Sequence, residues 1–231
     1  MTAVTQSAVE AERLHRRSFV LDLHTHGPGF VPQPFRTVWR GVTFRAPAEV
    51  GFGALRKAGV DAVVAKAVGD PIVTRWYVGR SPWEAVEAQL VLIERQAGEA
   101  GVHVARSVEG LVQARAQGVP AVVLGVEGAD AIGGDVDRID AWHERGVRVI
   151  VLVHLRDNQL GTTCLPWQRY AGPWPVRRHA SPGLSPTGAR VVGRMNRLGV
   201  VVDVAHADRA TLLGVVDVTT APVVSSHTGA R

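Results

Sequence analysis

A parallel α/β fold of the (β/α)8 barrel type is predicted by three features of this 231-residue chain. Apolar, β-branched runs alternate with amphipathic segments, the pattern of a parallel sheet whose strands are covered on both faces. A polar residue closes almost every run: His24 and His26, Lys66, Glu127, His154, His206 and His227. In a barrel those strand ends share one rim, so residues far apart in sequence converge there. An open dinucleotide-binding sheet carries instead a Gly-rich turn after its first strand, and GPGFVPQP at 27–34 neither fits G-x-G-x-x-G nor opens a helix.

The elements follow in order. A charged helical lead-in occupies residues 1–18, and strand-like runs then appear as SFVLDLH, GVDAVVAKAV, VHVARS, PAVVLGVEG, GVRVIVLVH, GVVVDVAH and APVVSSH. Between them, SPWEAVEAQLVLIERQAGEAG, DVDRIDAWHERG, SPTGARVVGRMNRLG and DRATLLGVVDV have helical spacing, several opening on Ser or Asp at an N-cap and closing on Gly. In the first run, LDLHTH, strand alternation places Asp22, His24 and His26 on one face. Two long irregular segments rich in Gly, Pro, Trp and Arg, at 27–47 and 155–183, are expected to roof the rim. The whole of 1–231 reads as a single domain.

With 46% hydrophobic and 20% charged residues, the chain can bury a full core. Its net charge of +5 and pI near 10.3 invite a nucleic-acid reading, but the arginines are scattered and aromatics make up only 6%, so no stacking platform is visible. The first twenty residues hold no unbroken apolar stretch, so neither a secretion signal nor a membrane span is expected and the cytoplasm is the default location. Cys164 is the single cysteine, which excludes an intrachain disulfide and a Cys-rich zinc site. Any metal must use His and carboxylate ligands.

Taken singly, each strand-end residue has a bland explanation as a polar cap. Together, His24, His26, Glu127, His206 and His227 can bind two divalent ions if Glu127 bridges them with its two oxygens. Two metals roughly 3.5–4 Å apart can hold a hydroxide and polarise a carbonyl, bringing the pKa of water down to about 7. That is hydrolase chemistry. Lys66, a candidate for the carboxylated lysine of other metal hydrolases, is read as a stem along the rim with its amine in water. Asp22 is a candidate to orient His24, while Asp203, three residues before His206, is assigned no chemistry. His15, His103, His143 and His179 are read as structural or solvated.

The stretch from Ala121 to Arg231, loosely aligned only in the loop before Gly183, together with LDLHTH, resembles the renal (membrane) dipeptidase family of dinuclear zinc metallopeptidases. The resemblance implies a barrel of the metal-dependent amidohydrolase kind that cleaves dipeptides with a hydroxide bridging two Zn2+ or other divalent ions. It implies that His24 and His26 bind the first ion, Glu127 bridges, and His206 and His227 bind the second. It further implies that His154 hydrogen-bonds the substrate carbonyl as an oxyanion donor, and that Arg231 grips the free carboxylate of the dipeptide.

There are two departures from the family. Its first strand usually reads His-x-Asp where this chain has His24-Thr25-His26, so the site carries one negative charge fewer. Family members also continue through the last two strands of the barrel, which hold the proton-shuttle aspartate; about six of eight strands are expected here. An incomplete barrel has open edges that favour self-association into a homo-oligomer. Two alternatives stay open: a catalytically impaired fragment or pseudoenzyme of that family, and a metal phosphoesterase of the polymerase-and-histidinol-phosphatase type, which also opens on a His-x-His strand.

Overall fold

The structure, a computed structural model, describes residues 3–27, 29–32, 51–171 and 181–228. Arg231, His179 and the greater part of the first long loop lie outside the described residues, as does 172–180 of the second.

The chain begins with helix α1 (Ala3–Arg17) and strand β1 (Leu21–His26), followed by a short helix α2 (Leu55–Ala58) and β2 (Ala62–Val68). After α3 (Pro71–Thr74) and α4 (Pro82–Glu99) come β3 (His103–Ala105), α5 (Val108–Ala116) and β4 (Ala121–Glu127). The order continues through α6 (Arg138–Arg145), β5 (Val147–Val151), α7 (Gln168–Ala171), α8 (Pro186–Leu198), β6 (Val201–Asp203) and α9 (Arg209–Val218). Start signals read from sequence act as such. Ser81 and Glu84 form a reciprocal capping box at α4, and Ser185 and Asp208 cap α8 and α9 with their side chains; Ser107, inside a run read as strand, caps α5 in the same way. At α6 the run opens on Asp135, but the helix starts later, and Asp137 stands at the cap without a side-chain bond to the helix.

Among the described residues, the six strands pair in parallel, in the order β1-β2-β4-β5-β6 with β3 beside β4. Each helix returns the chain to the start of the next strand, so every strand end with a polar residue lies at the same side of the sheet. Two of the seven expected runs depart from plain strands. VHVARS supplies only the three residues of β3, because Ser107 already caps the next helix. β2 occupies one edge of β4 along its full length, so β3 (against 121–123) and β5 (against 124–127) divide the other edge, and β3 is no stave of its own. APVVSSH joins β6 through a parallel bridge at Val224, whose amide donates to Val202 O at 3.0 Å and whose carbonyl accepts from Val204 N at 2.8 Å. It is the sixth stave of a partial barrel, in line with the expectation from sequence.

The main core lies between the outer face of this sheet and the helices. Val86, Leu90 and Ile93 of α4, Ile139 and Trp142 of α6, and Val191 and Met195 of α8 are buried against the valines of β2, β4 and β5. Trp83 and Trp142 stack with centroids 5.2 Å apart and planes 7° from parallel. On the inner face, Leu21, Leu23, Val64, Val123, Val149 and Val201 line a cavity of about 400 Å³ below the rim.

In β1 the lower residues Leu21 and Leu23 line that cavity, yet His24 and His26 both face the rim centre. A register irregularity between Asp22 and Thr25 makes this possible by shifting the phase of the strand. Asp22 is therefore not on the imidazole face as simple alternation expects: its Oδ1 accepts the His24 amide at 3.0 Å and is no partner of the ring.

Candidate metal centre

Glu127 ends β4 fully buried, and the chain must turn sharply after it to leave the rim open. Gly128 makes that turn at φ 78°, and a Cβ there would come within 3.0 Å of His154 Cβ. The two oxygens of the carboxylate face different imidazoles. Oε2 lies 3.7 Å from His24 Nδ1 and 3.5 Å from His26 Nε2. Oε1 lies 3.1 Å from His206 Nε2, 3.2 Å from His227 Nε2 and 3.8 Å from His154 Nε2. The rings of His24 and His227, from the two ends of the strand order, stack at 3.9 Å. The six described candidates thus meet at one mouth.

Among the described residues, neither oxygen of Glu127, nor His24 Nδ1, is aligned with a hydrogen-bond partner, although all three are buried. A buried carboxylate without a donor is expensive. A neutral imidazole can offer the carboxylate at most one N–H, whereas divalent cations held between the rings and both oxygens offset its charge. His24, His26 and Glu127 can hold one ion, and Glu127, His154 and His206 are likewise close enough to share one. The donor set of imidazole nitrogen and carboxylate oxygen suits Zn2+.

Protonation agrees with that role. Burial brings His24 down to about 3 against the opposing field of Glu127, and burial also lowers His26. Burial pushes Glu127 up, but its contacts with His206 and His227 and the fields of His154 and His26 outweigh this and hold it well below the carboxylate range. Neutral His24 and His26 beside an anionic carboxylate are ligands ready for a cation.

His154 is buried behind the mouth. Its Nδ1 bonds the Asp70 carboxylate, leaving Nε2 toward the centre; burial lowers its pKa, but Asp70 and the fields of Glu127 and Asp130 raise it overall. Asp70 was not singled out from sequence. Its other oxygen caps α3, accepting from the amides of Ile72 at 2.7 Å and Val73 at 3.3 Å, so the Asp-Pro pair after β2 was the available signal. Beside it, Asp130 is pushed up to about 7 by burial, with Asn158 opposing and Asp70 adding to the rise.

Two readings from sequence need correction. Lys66 is not a rim lysine with its amine in water: it is fully buried, its Nζ donating to Asp203 Oδ2 at 2.6 Å and Ser226 Oγ at 2.7 Å. It points into the lumen, where an ammonium must be paired, and so it is not a bridging metal ligand. Asp203, left without a role, is the partner of that cation and is lowered by it despite burial.

His206 has φ 62°, the left-handed region that costs a residue with a Cβ energy. Its carbonyl is held by Cys164 N at 2.8 Å and Thr163 Oγ1 at 2.9 Å, which keeps the strained turn in place.

Comparison with known proteins places this centre in context. A family model described as membrane dipeptidase (peptidase family M19) matches residues 8–231. The dipeptidase aclJ of Aspergillus oryzae is 38% identical over 108 residues, 47% of this chain and 23% of that protein. Dipeptidase 3 of Mus musculus is 31% identical over 112 residues, 48% of this chain and 21% of that protein. Among solved structures, the probable dipeptidase PvdM of Pseudomonas aeruginosa superposes with a TM-score of 0.77 at 24% identity, covering 97% of this chain and 56% of that one. A metallopeptidase of Rhodobacter sphaeroides liganded with a phosphinate mimic of L-Ala-D-Ala gives 0.66 at 19% identity, covering 91% and 66%. The chain aligns with about a quarter of the length of these curated relatives and with 56–66% of these structures.

Proposed function

The chain belongs to the membrane dipeptidase family, and from that premise we propose that it serves as a metal-dependent dipeptidase whose centre is built on Glu127. His24 and His26 with Oε2 hold one divalent ion, and His206 and His227 with Oε1 hold the other. Bound there, a pair of Zn2+ ions supplies a nucleophile from water and an electrophile for the scissile carbonyl. His154, held through Nδ1 by Asp70, directs Nε2 at the substrate and donates to the carbonyl oxygen as it gains charge. Arg231, matched to the family's carboxylate-gripping arginine, takes the free end of the dipeptide.

The observation that carries this reading is the division of one buried, unpartnered carboxylate between two groups of imidazoles. The test is metal content and turnover together. The chain loaded with Zn2+ should retain two equivalents and release amino acids from Ala-Ala and similar dipeptides, while Glu127→Gln should lose both properties. Phosphate release from a model ester without dipeptide cleavage would assign phosphoesterase chemistry instead. Two retained ions with no turnover of any dipeptide would leave a metal-binding protein without peptidase activity.

A further inference from the structure

Beneath the centre runs a buried polar chain that the proposed chemistry does not use. Lys66 Nζ donates to Asp203 Oδ2 at 2.6 Å and to Ser226 Oγ at 2.7 Å, and Ser226 Oγ meets His227 Nδ1 at 2.9 Å. Asp203 Oδ1 accepts the amides of Ala205 at 3.0 Å and Ser226 at 3.1 Å. The space for the lysine stem is left by Gly125, where a Cβ would come within 2.9 Å of Lys66 Cγ. A lumen filled with leucine or methionine would be at least as stable as one holding an ion pair, so the pair calls for a purpose besides stability.

Counting protons supplies one. An ammonium only donates, so Ser226 Oγ spends one lone pair on Lys66. Asp203, which holds the Ser226 amide at 3.1 Å, lies beside that hydroxyl and is the carboxylate that can take its proton when His227 Nδ1 keeps its own. What remains on Oγ is a second lone pair, and the neighbour facing it is His227 Nδ1. With its proton on Nδ1 against Oγ, the ring keeps the Nε2 lone pair free for a cation, beside His206 Nε2 at 2.8 Å and Glu127 Oε1 at 3.2 Å. A ligating imidazole needs that tautomer.

We propose that Lys66 and Asp203 act through Ser226 as positioning residues that hold His227 in its cation-binding tautomer, so that the His206–His227 half of the centre depends on this buried chain while the His24–His26 half does not. The inference rests on the dinuclear reading above.

The test is a Co2+ titration of the full chain, followed by its absorption and by equilibrium dialysis, with nitrogen NMR of the imidazoles in the metal-free state. The unsubstituted chain should bind two equivalents and show His227 protonated at Nδ1. Ser226→Ala should keep one equivalent at unchanged affinity, weaken the other by about ten- to a hundredfold, and mix the His227 tautomers. Ser226→Thr, which keeps the hydroxyl, should restore both. Lys66→Met combined with Asp203→Asn removes both charges together, avoids stranding either in the lumen, and should also weaken one equivalent. Two equivalents of unchanged affinity in Ser226→Ala and in the double variant, with an unaltered tautomer, would reduce the chain of bonds to a structural tie and overturn the proposal. Fewer than two equivalents in the unsubstituted chain would overturn the dinuclear reading itself, and this inference with it.

Discussion

At the scale of single residues, the strain at His206 and the burial of Asp130 make separate demands. The left-handed backbone of His206 is retained with a side chain that pays an energetic penalty there, so His206→Gly should stabilise the cation-free chain by about 1 kcal/mol while weakening Zn2+ binding. Urea unfolding beside metal titration checks both halves. Asp130 titrates near 7 when folded and near 3.8 when free. A carboxyl raised by folding contributes stability that is lost as pH climbs through its folded pKa. The chain should therefore lose roughly 2 kcal/mol between about pH 5.5 and about pH 8 on this account. Asp130→Asn, which can still accept from Asn158, should flatten that slope in denaturant midpoints measured across the range. The histidines and Glu127 were legible in the sequence because each ends an apolar run, a local signal. Lys66 was not, since its partner Asp203 lies 137 positions away and nothing near Lys66 announces a buried anion.

Among elements, β1 and β4 show what local pattern can and cannot carry. The alternation of Val-rich runs with capped helices was sufficient to make the sheet parallel. The phase shift within β1 leaves no mark in LDLHTH, because a bulge is settled by pairing with β2 and not by the strand itself. The loss of β3 from the circuit is equally a matter of competition for one edge of β4. In β4 the small residue is the informative one. A methyl group on Gly125 would meet Lys66 Cγ at 2.9 Å and Val149 O at 3.1 Å. One of those is backbone of the adjoining strand and cannot give way cheaply, so Gly125→Ala should destabilise the chain by about 1–3 kcal/mol, read from its denaturant midpoint.

Over the whole molecule, the centre joins staves from both ends of the sheet order: His24 stands on β1 and His227 just past the bridge to β6. Cations bound between them tie elements that the hydrogen-bonded ladder links only the long way round. Zn2+ at a hundredfold excess over its dissociation constant should add about 2.7 kcal/mol per site, a rise of about 5–10 °C in Tm for a chain of this size, and chelation should reverse it. A calorimetric scan that is indifferent to Zn2+ would contradict the ligand set. The outer layer carries its own reporter. Trp83 at the start of α4 and Trp142 in α6 lie face to face at 5.2 Å, close enough for their excited states to couple. The folded chain should therefore give a paired positive and negative band in the ultraviolet circular dichroism of its indoles, and the fading of that couplet during unfolding would time the parting of two helices independently of anything that happens at the rim.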